Sequence, residues 1–248
     1  MVGRLLEVTL DDPFSNLALE EVIFTGLRVP TLRVWNNQKS VIIGRAQLAK
    51  FETDLEYCRR RRIPVVRRFT AGGAVYNGPG NLNWSFFVPR IADGTGAGFG
   101  DANRVFASFA TQVVTALRAC HVECEFKTPN CIVNRQGKIS GMAAYISKGG
   151  VICHGTLLID ADLKEVETLT RPGAAELARR YPRSKFIPVS NCGIEARDFI
   201  LKLVQGSGYD LEEDWLTTAE SESTLNLVVS KYADDRWNLG DPFPLDNL

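Results

Sequence analysis

The sequence has no net charge, no long apolar run and no CxxC pair, and each absence excludes a class of protein. Lys and Arg together number 29, as do Asp and Glu, so general attraction to nucleic acid or anionic membranes is not expected. No stretch approaches the roughly 18 apolar residues of a spanning helix, and acidic residues interrupt the amino terminus before a signal core forms. We therefore predict a soluble, cytoplasmic protein with no nucleic-acid or membrane partner.

Six cysteines are present without the paired spacing of a zinc site. A chain of 248 residues that is 45% hydrophobic buries a sizeable core without disulfide or metal staples, and reduced cysteines pack as small hydrophobic residues. The nearest approach to a metal cluster is Cys120, His121 and Cys124, whose single i, i+4 cysteine pair is a weak signal. We predict free cysteines and no metal ligands.

Hydrophobic periodicity and turn residues predict an α+β fold. Asp12 and Pro13 precede an apolar stripe that begins the first helix. Asn36 and Asn37 separate two short strands, 31–35 and 40–44, which we expect to pair. Further helices are predicted over 50–62, 101–117, 162–181, 193–206 and 211–232. Residues 64–88 are predicted to form a strand, a glycine turn and a second strand, and residues 91–102 a mobile loop. Three more strands are predicted over 131–133, 138–145 and 151–159. Local hairpins with helices in blocks favour mixed β-sheets flanked by helices over a doubly wound parallel sheet.

The stretch RRFTAGGAV, residues 67–75, is the most informative in the chain. Two arginines leave a strand just before a turn of small residues, which suits recognition of a phosphate or carboxylate by guanidinium and backbone N–H groups. The spacing is neither that of a P-loop nor that of a Rossmann fingerprint. Taken alone, such a turn is more often structural than ligand-binding.

Two other stretches contain residues suited to phosphate or acid–base chemistry. Lys138 begins a strand between Gly137 and Gly141, where its ammonium can approach a phosphate. The alternative is an exposed hairpin lysine. His154 lies in the apolar stretch ICHGTLL, where a histidine is more often a hydrogen-bonded structural residue than a catalyst.

Together these stretches resemble the lipoate-protein ligase family. The matching motifs are NLALEE, SVIIGRAQ, RRFTAGGAVYNGPGNLNWSF, GKISGMAA and HGTLLIDADL, which extend over nearly the whole chain. The resemblance implies a lipoate/biotin-protein ligase-like fold and a single catalytic domain over 1–248. It also implies that ATP, with Mg²⁺, activates lipoate to lipoyl-AMP, and that a lysine of a lipoyl-domain acceptor then takes the lipoyl group.

The resemblance implies roles for the matched positions. Lys138 would be catalytic and would stabilise charge on the α-phosphate and the lipoyl carbonyl. Asn81 would hold the phosphate or its Mg²⁺, and Trp35 would help to form an apolar slot for the lipoyl chain. The other implied substrate- and nucleotide-binding residues are Arg68, Thr70, Gly72, Gly73, Ala74, Val75, Tyr76, Ala143 and His154.

Three residues depart from the family motifs. Ala71 replaces the first of three glycines, Asn77 stands where a histidine is usual, and Cys131 occupies the place of an aspartate. The first keeps a turn of small residues. The other two are predicted to alter contacts with Mg²⁺ or the nucleotide.

Two other functions remain open. An octanoyl or lipoyl transferase of the same fold would use Cys124 or Cys131 as nucleophile, activated by Lys138 or His154, and would need no ATP. A non-catalytic protein that binds lipoyl-AMP or lipoyl domains would have little reason to keep Lys138 between two glycines.

The resemblance also implies partners. The acceptors would be E2 lipoyl domains or the glycine-cleavage H protein, and acidic acceptors are expected to dock near Arg59–Arg62. The chain ends shortly after KYADDRWNLGDPF, where full-length bacterial ligases continue into a small carboxy-terminal domain. In archaeal-type systems that domain is a separate polypeptide, so we expect a small accessory subunit.

Overall fold

Two β-sheets flanked by helices form the framework of the protein, for which a computed structural model describes residues 2–90, 101–170 and 187–241. The strands are β1 Gly3–Leu6, β2 Thr31–Trp35, β3 Ser40–Ile43, β4 Val65–Arg67, β5 Val75–Asn77, β6 Asn81–Pro89, β7 Glu125–Lys127, β8 Cys131–Val133, β9 Lys138–Ile146, β10 Gly150–Leu158 and β11 Leu211–Glu213. The helices are α1 Pro13–Thr25, α2 Ala49–Glu52, α3 Leu55–Arg61, α4 Ala102–Ala119, α5 Leu163–Thr170, α6 Ala196–Gly206, α7 Thr218–Leu227, a π-helical turn Val228–Tyr232, and α8 Asp235–Asn238. In these ranges no helix is long and apolar enough to cross a membrane. The predicted α+β class is confirmed.

The larger sheet has eight strands in the order β11-β1-β2-β6-β10-β9-β8-β7. Its half from β6 to β7 is antiparallel, and the β8–β9 and β9–β10 pairs are the local hairpins that the sequence predicts. The β7–β8 pair is a further hairpin, whose first strand the sequence did not predict. At the other edge, β1 runs parallel to both β2 and β11. The smaller sheet has the order β4-β3-β5.

The expected pairing of strands 31–35 and 40–44 is wrong, because they belong to different sheets. β2 pairs with β1 and β6, whereas β3 pairs with β4 and β5. The two asparagines between them do not form a hairpin turn. Asn36 donates to the carbonyl of Asn81 at 2.6 Å, and Asn37 accepts from Asn16 at 3.2 Å, so the connection is fastened to β6 and α1 while it crosses between sheets.

The two faces of β6 explain where the core and the site lie. Leu82, Trp84 and Phe86 point into the main hydrophobic core, where α4 and α6 cover the sheet. Phe86 stacks on Phe109 of α4 with ring centroids 5.2 Å apart. The other face of β6 carries the polar residues Asn81, Asn83 and Ser85 and, beyond them, Phe87, which packs in a second hydrophobic cluster. The polar part of this second face is available for a site.

Several predicted helices are confirmed with corrected bounds. The side chain of Asp12 caps α1 by accepting from the Ser15 N–H at 2.8 Å, as the sequence predicts. The predicted helix 50–62 is two short helices, because the backbone at Thr53 is extended and Asp54 caps a new helix. The predicted helix 211–232 is wrong at its start, since residues 211–213 add a strand beside β1 and Thr217 caps α7. Most of the predicted 91–102 loop, and the predicted helix beyond residue 170, lie outside the described residues.

Candidate functional site

A cavity of about 360 Å³ lies between the polar face of the large sheet and the loop that joins β4 to β5. Its lining mixes apolar residues with a few convergent polar groups, which is typical of small-molecule sites. The lining residues are Leu17, Glu20, Trp35, Ile42, Arg68, Gly73, Ala74, Val75, Asn77, Asn83, Ser85, Lys127, Thr128, Pro129, Asn130, Cys131, Lys138, Gly141, Met142, Ala143, His154, Gly155, Thr156 and Ile187.

Strand register builds the floor of this cavity from two rows of small and polar residues. One row runs across β6, β10 and β9 as Ser85, His154 and Ala143. The next row runs as Asn83, Thr156 and Gly141, and continues on β8 with Cys131. Because directly opposed residues project from the same side of a sheet, both rows face the cavity.

Arg68 holds the glycine loop in shape. Its Nη2 donates to the carbonyls of Ala71 and Gly73 at 2.7 and 2.9 Å, and its Nε donates to Thr70 Oγ1 at 3.1 Å. Gly72 has φ 101°, and a Cβ there would lie 2.7 Å from Arg68 Nη2, so the turn requires glycine at this position. Burial lowers the pKa of Arg68 to about 10, and the side chain stays charged at neutral pH.

A buried carboxylate in the lining of the cavity orients His154. The Glu20 carboxylate lies 3.1 Å from His154 Nδ1 and also accepts from the Ser85 hydroxyl. His154 Nε2 lies 2.8 Å from Thr70 Oγ1, which connects the imidazole to the glycine loop. Burial alone would raise the pKa of Glu20, but His154, Arg33 and Ser85 together hold it below its ordinary value. The structure therefore has a continuous polar chain from α1 to the loop.

Lys138 lies where the main cavity meets a smaller chamber of about 70 Å³. Its ammonium folds over Gly141, because a Cβ at that position would lie only 2.6 Å from Nζ. No hydrogen bond or ion pair joins the ammonium to another residue within the described ranges. The smaller chamber is also lined by the buried Ser140, whose hydroxyl lacks a partner in the same ranges.

Seven of the residues implied by the family resemblance line the main cavity. They are Arg68, Gly73, Ala74, Val75, Lys138, Ala143 and His154. Trp35, the expected wall of the apolar slot, also lines it. Thr70 and Gly72 lie behind this lining, where they support His154 and Arg68.

Two implied binding residues face away from the main cavity. Tyr76 lines the smaller chamber and donates from its hydroxyl to Glu165 at 2.7 Å. Asn81 is buried and donates to the carbonyl of Tyr76 at 3.1 Å, which supports the turn before β6. It is Asn83, two residues further along the same strand face, that lines the cavity.

The two candidate nucleophilic cysteines occupy different places. Cys131 lines the cavity, whereas Cys124 is packed in the main core beneath α4 and lines only a separate surface pocket. Burial raises the pKa of the Cys124 thiol, which disfavours the thiolate. All six cysteines are free, and no cluster of metal-ligating side chains occurs in the parts of the chain that the structure describes.

Sequence reasoning missed Glu20, Ser85 and Asn83 as site residues. A signal was present in each element, since Glu20 falls on the apolar side of α1 and the other two alternate with core residues along β6. A buried carboxylate needs a partner, but the sequence around Glu20 and the sequence around His154 do not show that the two residues are partners. Only the register of β6 with β10 brings these groups together.

Comparison with known proteins agrees with this geometry. The family model described as the lipoyl protein ligase A/B catalytic domain matches residues 12–197. Lipoate-protein ligase 1 of Staphylococcus aureus is 33% identical over 242 residues, which cover 93% of this chain and 71% of the relative.

Two solved structures are similar over almost their full lengths. A crystal structure of lipoate-protein ligase A bound with ATP has a TM-score of 0.83 and 27% identity, and the match covers 97% of this chain and 99% of the other. A bi-partite lipoate protein ligase from Thermoplasma acidophilum, studied with its E2 lipoyl domain, has a TM-score of 0.82 and 27% identity, with 98% of each chain covered.

Proposed function

This chain belongs to the lipoyl protein ligase A/B catalytic domain family and is a lipoate-protein ligase, and we propose that Lys138 carries the chemistry of both half-reactions. The observation that supports this role is the ammonium at the junction of two chambers, which has no partner among the described residues. When the lipoate carboxylate attacks the α-phosphate of ATP, negative charge develops at that junction. A cation there stabilises the transition state more than the ground state.

The larger chamber is the proposed site for the lipoyl chain. Leu17, Trp35 and Ile42 line it together with Val75 and Met142, and these apolar walls suit an aliphatic tail with a sulfur ring. The Trp35 Nε1 donates to Ser85 Oγ at 3.2 Å, which fixes the indole at the wall. The carboxylate end of such a chain would then point towards Lys138.

The nucleotide is proposed to extend from Lys138 into the smaller chamber. That chamber offers the apolar side chains of Leu158, Val166 and Val189 together with the unpartnered Ser140 hydroxyl. An apolar slot with a few polar groups suits a purine with its ribose. After pyrophosphate leaves, the acyl carbonyl of lipoyl-AMP would lie beside Lys138, where an acceptor lysine attacks it and AMP departs.

Mg²⁺ is expected from the family reaction, and the donor set of the cavity tests that expectation. Mg²⁺ is usually bound through one or two carboxylates together with substrate phosphates. Glu20 supplies the only carboxylate that lines the main cavity within the described ranges, and it is already bound to His154 and Ser85. These residues do not fit a protein-held Mg²⁺, so we assign no step to the ion.

We further propose that the acceptor is a lipoyl domain of an E2 subunit or the glycine-cleavage H protein, and that activation of free lipoate needs a small second polypeptide. The near-complete match to one chain of the T. acidophilum bi-partite ligase supports the second subunit. Pairing of β1 with β11 supports a single catalytic domain. Use of ATP supports a cytoplasmic location.

The role of Lys138 is tested by Lys138→Ala, with Lys148→Ala at an exposed turn as the matched control. Assays measure lipoyl-AMP formation with the second subunit present, and transfer from supplied lipoyl-AMP to a lipoyl domain. Lys138→Ala is expected to slow both steps by about 10²–10³-fold, while the control stays active. Equal activity of the two variants would remove Lys138 from the mechanism.

The transferase alternative is tested in the same preparation, because Cys131 lines the cavity. The wild-type chain is incubated with an octanoyl thioester and its intact mass is measured. We expect no acyl adduct. An adduct that disappears in Cys131→Ser, with no lipoyl-AMP formed from lipoate and ATP, would favour the transferase instead.

A further inference from the structure

Within the described ranges, two lysines line the main cavity and no lining carboxylate is free to bind a cation, because Glu20 is already bound to His154 and Ser85. Lys127 and Lys138 both line it, and Cys131 lies between them in the sheet. Lys127 is directly opposite Cys131 across the β7–β8 pair, and Cys131 is directly opposite Gly141, over which the Lys138 ammonium folds. Two ammonium groups therefore border the same patch of the cavity floor.

The other polar groups on this patch are neutral. Asn83 is 4% exposed, and its Nδ2 has no hydrogen-bond partner among the described residues. Asn130 borders Cys131, whose Sγ lies 3.8 Å from Asn130 Oδ1. In the smaller chamber Glu167 supplies the only carboxylate within the described ranges, and its side chain belongs to a solvent-exposed residue of α5. Among the described residues, the patch thus presents amide and ammonium donors without a compensating negative charge.

From this donor set we propose that the site binds the triphosphate of ATP without needing a divalent cation, with Lys127 as a second phosphate-binding residue beside Lys138 and with Cys131, which carries no carboxylate, as the residue that permits it. The inference rests on the proposed ligase function. A carboxylate at position 131 would repel metal-free ATP, which carries about two more negative charges than its Mg²⁺ complex, and a bound cation would then be required. A thiol removes that repulsion, and the two ammonium groups favour the more highly charged form.

The test is the affinity of the purified wild-type chain for ATP, measured by isothermal titration calorimetry in EDTA and in excess MgCl₂ at equal ionic strength. The small second subunit is present in one series and omitted in another. We expect metal-free ATP to bind at least as tightly as the Mg²⁺ complex. Metal-free ATP that binds more than about tenfold more weakly overturns the inference.

Two substitutions at position 131 separate charge from shape. Cys131→Asp is expected to weaken binding of metal-free ATP by about tenfold or more, and to weaken binding of the Mg²⁺ complex much less. Cys131→Asn has nearly the same shape without the charge, and it should keep the wild-type metal dependence. If both variants behave alike, the charge at 131 does not determine metal dependence, and the inference fails.

The role of Lys127 is tested by Lys127→Gln, with Lys148→Gln as the control on an exposed turn. Lys127→Gln should weaken the binding of metal-free ATP more than the binding of its Mg²⁺ complex, and the control should change neither affinity. Equal effects of Lys127→Gln on the two forms contradict a direct phosphate contact. If the wild-type chain binds neither form in either series, the nucleotide site itself is refuted, an outcome distinct from tight but Mg²⁺-dependent binding.

Discussion

The position of the Lys138 ammonium depends on the missing side chain of Gly141. In Gly141→Ala, the new Cβ would lie 2.6 Å from Nζ and 2.7 Å from Cε, whereas ordinary contacts begin at 3.4 Å. The ammonium must therefore move by about 0.8 Å, which is the difference between 3.4 and 2.6 Å. A displacement of about 1 Å at a reacting centre costs about 10²-fold in rate. We expect lipoyl-AMP formation to slow by about that factor.

The same substitution is expected to leave the fold intact. The displaced atoms are the end of a flexible side chain, and Gly141 lies inside β9 without a positive φ. Replacing glycine by alanine inside a strand favours the folded state by about 0.5–1 kcal/mol, which offsets the cost of moving the lysine. The free energy of unfolding should therefore change by less than about 1 kcal/mol while the rate falls.

The assay pairs pyrophosphate release with thermal unfolding of the same sample. Gly149→Ala is the matched control, because its Cβ would meet only Ser147 Oγ at an ordinary distance of 3.6 Å. It should keep both the wild-type rate and the wild-type melting temperature. A wild-type rate in Gly141→Ala would refute the argument, since the ammonium would not then need the space above residue 141.

Two other predictions concern the buried Glu20–His154 pair and the arginines at the end of α3. Glu20→Gln should destabilise the protein by about 3 kcal/mol. The pKa of Glu20 in the fold lies below its ordinary 4.5, so the stability that its carboxylate contributes is present above pH 4.5 and is lost as the pH falls through the lower folded pKa. Acid unfolding curves should show this loss in the wild type only. Reversing Arg60 and Arg61 to Glu should raise KM for an acidic lipoyl domain several-fold without changing kcat. An unchanged KM would indicate another docking face.

Local sequence signals were sufficient to predict those elements whose partners are close in sequence. Asp12 and Pro13 predict the start of α1, because capping depends only on the first turn. The strands that contain Lys138 and His154 form one hairpin, so the turn residues between them determine their pairing. The central part of the site was therefore predictable from a single continuous segment.

Long-range partners could not be predicted in the same way. The crossing of Asn36 and Asn37 between the two sheets depends on their hydrogen bonds to Asn81 and Asn16. The role of Glu20 depends on a histidine 134 residues away. Residue type and spacing alone do not distinguish a hairpin turn from a connection that crosses between two sheets. They also do not distinguish an exposed helix carboxylate from a buried one. Both distinctions require knowledge of the element that packs against the residue.

Two pairs of neighbouring residues, Arg67–Arg68 and Glu20–Glu21, connect the cavity to the carboxy-terminal segment 228–240. Arg68 holds the glycine loop, whereas Arg67 donates to the carbonyls of Trp237 and Gly240 at 2.6 and 2.9 Å. In the second pair, Glu20 holds His154, whereas Glu21 accepts from Lys231 and Tyr232 at 2.7 Å.

One residue of each pair thus faces the site, and its neighbour binds the same carboxy-terminal segment. A displacement of that segment would break the contacts of Arg67 and Glu21 at once, and the buried Arg67 would lose acceptors that a folded interior must supply. The shape of the cavity is therefore coupled to whatever holds residues 228–240 in place.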